Sequence, residues 1–308
     1  MIPMLLLWTL TGCGWWEHHQ ACTAARSTEA AAWGVLTTAL ATDTASIDAT
    51  GLLAAATELD GRAKAAGAAA VATPAQTGEA AQDAFTRASR ASGTASGQAQ
   101  ATWTDWSLKV QGHGLDADHQ AARVPIAIER IEAWGKATAA VRLRLGLARA
   151  RYEAAVQTGE GRLGVPDAFQ GLGALAPLPA EPPKELAELQ AAVATADADH
   201  RAAQAGLKAA LDDADRLAFD VDRAGQIAAT DATDYAFLNF PPEAQVAQAA
   251  ALAAGASGTR ATESTVRLRA AVSAHRNDLE APPAMPPGSA TALAAAEAAV
   301  KGTVAACE

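Results

Sequence analysis

Between Lys184 and Ala228 the apolar positions recur in alternating steps of three and four residues. Leu186, Leu189, Val193, Ala196, His200, Ala203, Leu207, Ala210, Ala214, Leu217, Val221 and Ala224 hold this spacing without a break. Such a stripe falls on one side of a helix and predicts a coiled-coil-type seam against a partner helix. A second seam runs through Val124, Ala127, Ile131, Trp134, Thr138, Val141, Leu145, Ala148, Tyr152 and Ala155. It predicts a helix from about Asp116 to Thr158, with Asp116 as N-cap and Pro125 either kinking it or opening its regular part. At 1.5 Å rise per residue each of these helices would be roughly 65 Å long.

Five further helical segments flank these two. The first covers about Trp15 to Ala41, with a break at Thr42-Asp43-Thr44. The second covers about Ser46 to Val71 and ends before Pro74, because proline disfavours helix in the residue ahead of it. A third covers about Gly78 to Val110, stopped by Gln111-Gly112-His113-Gly114. Another runs from about Pro242 to Leu279 with a candidate reversal at Gly255-Ala256-Ser257-Gly258. A proline-rich stretch then leads to a last short helix over about Thr291 to Ala306. The expected fold is all-α: one elongated, antiparallel helical bundle over residues 13–308 with alanine-rich seams.

Composition sharpens this picture. Alanine supplies more than a quarter of the 308 residues and aromatics only 5%. Alanine is the best helix former but buries little apolar area per side chain. Stability must therefore come from many close helix contacts rather than from a few bulky residues. The net charge of −10 argues against a nucleic-acid partner, which requires a basic face. It also argues against electrostatic adsorption to anionic lipid.

The N-terminus carries the strongest motif. An apolar run, Met4 to Leu10, leads into Leu10-Thr11-Gly12-Cys13. The run is too short to span a bilayer but long enough for a signal-peptide core. The four-residue box resembles the lipobox of bacterial lipoproteins, although Met1-Ile2-Pro3 lacks the usual Lys or Arg. The resemblance covers residues 1–13 alone. It implies that residues 1–12 are a signal peptide and that Cys13 is lipidated, anchoring the mature chain in the bilayer. Gly14 in the following position implies the outer membrane in a Gram-negative host. Trp15 and Trp16 then suit the membrane interface, where indole rings prefer to sit, or else pack into the first helix.

With Cys13 acylated, Cys22 and Cys307 remain in a compartment where disulfides persist. A Cys22–Cys307 bridge is expected, with intermolecular pairing as the alternative. It also constrains topology: seven strictly alternating helices would carry Cys307 away from Cys22, hence the candidate reversal at Gly255–Gly258, or else a final helix too short to travel far.

Two connections are unusually apolar. The stretch Gly159 to Pro183 contains Phe169 and Leu172, and the stretch after the fifth segment holds Tyr235, Phe237 and Phe240. Each is read as a cap on a bundle end or as a partner-docking site. Chemistry is harder to place. No HExxH, GxSxG, Walker A or paired-cysteine zinc spacing is present. Gly159-Glu160-Gly161-Arg162-Leu163-Gly164 matches GxGxxG, but follows a helix rather than a strand and reads as a helix end. His113, Asp116 and His119 form the one weak metal or catalytic candidate, and His200 reads as a seam histidine with a hydrogen-bond partner. The function expected is structural, scaffolding or partner-binding in the cell envelope, without cofactor or catalysis. Its partners would be the bilayer, through Cys13, and an unidentified envelope protein. A ligand- or metal-binding protein, or an enzyme using residues 113–119, is the alternative.

Overall fold

The computed structural model describes the backbone of residues 5–71, 84, 86–88, 90, 96–159, 184–237 and 244–307. Side chains are described over most of these, but not over 5–16, 66–71, 96–98, 157–159, 235–237 or 246. The described residues form an all-α helical bundle with no strand among them. Among the described residues seven α-helices are defined: α1 Leu5–Ser46, α2 Ala49–Val71, α3 Ser96–Ala122, α4 Val124–Gly159, α5 Lys184–Phe237, α6 Gln245–Arg276 and α7 Pro287–Cys307. The chain divides into two compact units, with α2, α4 and α5 each contributing to both. The first comprises residues 1–51, 137–203 and 281–308, and the second residues 52–136 and 204–280.

In the first unit, α1 and α7 run antiparallel. Cys22 is bonded to Cys307, with Cα atoms 4.8 Å apart. Further along, Asp43 accepts the backbone N–H and hydroxyl of Ser289, at 3.1 and 2.7 Å. Between these ties, Trp33, Leu36 and Leu40 of α1 pack on Leu293, Ala296 and Val300 of α7 and on Leu147, Ala150 and Ala154 of α4. The opposite side of α4 presents Leu145, Tyr152 and Val156 to Leu186, Val193 and Ala196 of α5. This half of α4 is therefore buried on two sides, more than its single heptad seam implied. By length and composition α7 is apolar enough to cross a membrane.

In the second unit, α3 and α4 run the same way along α5. His113 meets Asp231, Arg130 meets Asp213, and Trp134 lies over Gly206, so one number climbs as the other falls. The helix α6 runs antiparallel to α5, with Asp222 near Arg269 and Asp215 bonded to Arg276. It runs parallel to α3, where Gly114 abuts Ala254 and Asp118 binds Arg260. Trp103 and Trp106 of α3 are buried edge to face, with ring centres 5.6 Å apart.

The α5 seam is as its spacing predicts: all its positions are buried except half-buried Leu189. Four expected boundaries are corrected. Thr42 and Thr44 do not break α1, because each hydroxyl donates to the carbonyl one turn back, at 2.9 and 2.6 Å. The break falls at Ile47-Asp48, where the Asp48 carboxylate accepts the Gly51 N–H at 2.9 Å and caps α2. Gln111-Gly112-His113-Gly114 does not end a helix, since α3 continues to Ala122. Asp116 is consequently no N-cap; it sits inside α3 and accepts a 3.4 Å hydrogen bond from Gln120. The chain breaks instead at Arg123, and Pro125 occupies the first turn of α4, where a missing N–H costs nothing.

Gly255–Gly258 is no reversal either, because α6 passes through it unbroken. A Cβ on Gly258 would lie 2.8 Å from the carbonyl oxygen of Gly225, and one on Gly225 would lie 2.9 Å from Ala261 Cβ. These glycines let two backbones touch. With α3 and α4 running in one direction, the reversal counted after Gly114 drops out, and the extra one at Gly255–Gly258 is not needed.

Candidate functional site

The densest polar interior lies in the second unit, around Arg130. Its position next to Ile131 on the α4 seam forces the guanidinium between helices, and its side chain is 7% exposed. Nε donates to Asp60 of α2 at 2.6 Å, Nη2 also reaches Asp60, and Nη1 donates to Asp213 of α5 at 2.7 Å. Lys64, one turn beyond Asp60, binds the same carboxylate at 2.7 Å. Burial raises the Asp60 carboxyl, but the Lys64 hydrogen bond and the Arg130 charge outweigh it and hold the group below the ordinary carboxylate value.

Beside this network a cleft of about 280 Å³ opens between α2, the start of α4 and α5. Lys64, Arg123, Arg130 and Arg216 line it, against two carboxylates, Asp213 and Asp220. Its floor is apolar, from Ile126, Ala214 and Leu217 among others.

A second polar pair is buried away from this cleft's lining. His113 Nδ1 and Asp231 Oδ2 are 2.7 Å apart, with side chains 2% and 9% exposed. The other ring nitrogen of His113, Nε2, is enclosed without a hydrogen-bond partner. Burial, with the adjacent Asp231 charge, raises the Asp234 carboxyl. A third cluster joins α3 to α6: Asp118 accepts Arg260 Nε at 2.9 Å and Nη2 at 2.8 Å, and the Ser257 hydroxyl at 2.8 Å.

The candidate set His113, Asp116 and His119 does not come together. His113 is committed to Asp231, Asp116 bonds to Gln120, and His119 is exposed. Among the described residues no group of three or more His, Cys, Asp or Glu is placed to hold a metal ion. His200 occupies the buried seam of the first unit as expected, yet its Nε2 has no hydrogen-bond partner. Burial lowers its pKa; Asp197 opposes this, and Arg149 and Arg142 reinforce it. Cys22 and Cys307 form the expected disulfide. The side chains of Cys13, Trp15, Trp16, Tyr235 and Phe237, and all of Phe169, Leu172 and Phe240, lie outside the described residues.

Sequence reading missed Asp60, Arg130 and Asp213, whose partners lie 70 and 83 residues apart along the chain. The one local signal, an arginine beside a seam position, is shared by solvated helix cations and does not single it out. No family model matches the chain, and no match is found among curated proteins or solved structures.

Proposed function

We propose that this chain is a lipid-anchored protein of the bacterial cell envelope, held at the outer membrane through Cys13. Its helical bundle has a structural, scaffolding or partner-binding role. The observation that carries the reading is the Cys22–Cys307 disulfide. The chain has three cysteines, so this bond leaves Cys13 as the one remaining thiol. Intramolecular disulfides belong to oxidising compartments, and the remaining cysteine is the one inside the lipobox-like sequence. A single acyl chain anchors weakly and several anchor stably, so a lipidated Cys13 would suffice for attachment.

Exposed apolar side chains support the partner-binding role. Leu108 and Leu115 stand seven residues apart on α3, hence on one face, and are 59% and 70% exposed. The reading is tested in cells producing the full chain with labelled palmitate. Label and membrane attachment are expected in the wild type and lost in Cys13→Ser. Equal attachment of Cys13→Ser overturns the anchoring, and free thiols at Cys22 and Cys307 in protein recovered without reductant overturn the compartment.

A further inference from the structure

We infer that the cleft between α2, α4 and α5 binds a singly charged organic anion with a short aliphatic part, an alkyl carboxylate. Cation excess is the first reason. A chain of net charge −10 places four cationic side chains around one cleft, against the lining carboxylates Asp213 and Asp220 and the adjoining Asp60, which leaves an excess of one positive charge. Arg123 is the head-group ligand. It occupies the break between α3 and α4, is half-buried, and its Nη1 donates to a neutral acceptor, Gln120 Oε1, at 2.7 Å. A guanidinium bound that way keeps donors in a planar fork that matches a carboxylate.

The other cations assist rather than compete. Arg130 is saturated by Asp60 and Asp213 and forms a fixed wall. Lys64 and Arg216 stand on the rim, with side chains 70% and 79% exposed, and each keeps an acidic neighbour. Asp60, Asp213 and Asp220 thus offset all but one of the four positive charges, which suits a monoanion better than a phosphate dianion.

The floor supplies the second reason. Ile126, Ala214 and Leu217 give it a carbon surface, and about 280 Å³ accommodates a short chain rather than a long lipid. Apolar walls with a few placed polar groups are the usual make-up of a small-molecule site. An inorganic anion would leave that floor unused, and a neutral alcohol would leave the cations unused.

The test is ligand-detected NMR titration of the full chain with hexanoate, with hexanol and inorganic phosphate as controls. Saturable hexanoate binding is expected, at least tenfold tighter than either control. Arg123→Gln should weaken it about tenfold or more, and Ala63→Phe, which fills the cleft from α2, should abolish it. Because Arg123 also holds the α3–α4 turn, Arg216→Gln serves as a second charge variant at an exposed site, with a several-fold loss expected. The proposal is overturned if hexanoate shows no saturation, or if hexanol or phosphate binds as tightly. Unchanged affinity in Ala63→Phe, or in Arg123→Gln together with Arg216→Gln, also overturns it. These readouts do not depend on Cys13, so failure of the anchoring reading leaves them intact.

Discussion

Gly258→Ala sets two effects of one methyl group against each other. In a helix interior alanine is favoured over glycine by about 1 kcal/mol. At this position, however, the new Cβ would lie 2.8 Å from the Gly225 carbonyl oxygen, 3.1 Å from Ala229 N and 3.2 Å from Ala229 Cβ. Two of these three atoms are backbone, so no rotamer change relieves the overlap and α5 must separate from α6. Overpacking of this kind costs about 1–3 kcal/mol, and a backbone obstacle puts it at the upper end. The expected net result is a loss of about 1–2 kcal/mol. Gly61→Ala, in the same unit, is the control: it lies within α2, is exposed, and its Cβ would meet nothing within 4 Å. It should gain up to about 1 kcal/mol. Urea denaturation followed by far-ultraviolet circular dichroism measures both, with unchanged slopes showing that the unfolding reaction is the same. If Gly258→Ala proves as stable as the parent while Gly61→Ala gains, the close-contact explanation of the glycines is wrong.

Three further outcomes follow from the polar and covalent ties. Cys22 and Cys307 are 285 residues apart in sequence, so the chain-entropy model gives about 5–6 kcal/mol as the upper expectation for their bond. Reduction should lower the thermal midpoint of the parent and leave that of the Cys22→Ser, Cys307→Ser double variant unmoved; equal midpoints before and after reduction of the parent would contradict this. Arg130→Met strands Asp60, whose side chain is 17% exposed, with Lys64 alone, at a cost of about 2–4 kcal/mol in denaturation. Since Asp60 is held below its ordinary value, its stabilisation is present at neutral pH and lost as pH falls through that lowered value. In Arg130→Met the acid loss should begin at higher pH, and an unshifted acid limb would refute the coupling. His200 is held below its ordinary value by burial, so the unfolded chain takes up the proton first and stability falls as pH drops below about 6.5. His200→Leu should flatten that region and gain about 1 kcal/mol at neutral pH by removing an unpaired buried nitrogen; a parent-like pH slope would count against it.

Periodicity and composition settled the local structure. An alanine-rich chain with sustained three–four spacing can bury its apolar positions only as helices, and the α5 seam came out position by position. The Cys22–Cys307 pairing was legible too, because a lipobox-like cysteine leaves an even remainder. Glycine was the ambiguous letter. Within a few residues of sequence, Gly112, Gly114, Gly255 and Gly258 look like helix stops, since a missing side chain lowers helix propensity in any setting. Only the packed structure distinguishes a glycine that ends a helix from one that admits a neighbouring backbone, and here Gly114 and Gly258 do the latter. The same holds for charge. Arg130 reads as one more exposed cation until α2 and α5 bring Asp60 and Asp213 to it. Helices are fixed by interactions within a few residues, whereas the direction of α3 beside α6, the buried ion network and the cleft all depend on partners tens of residues away, which no local pattern encodes.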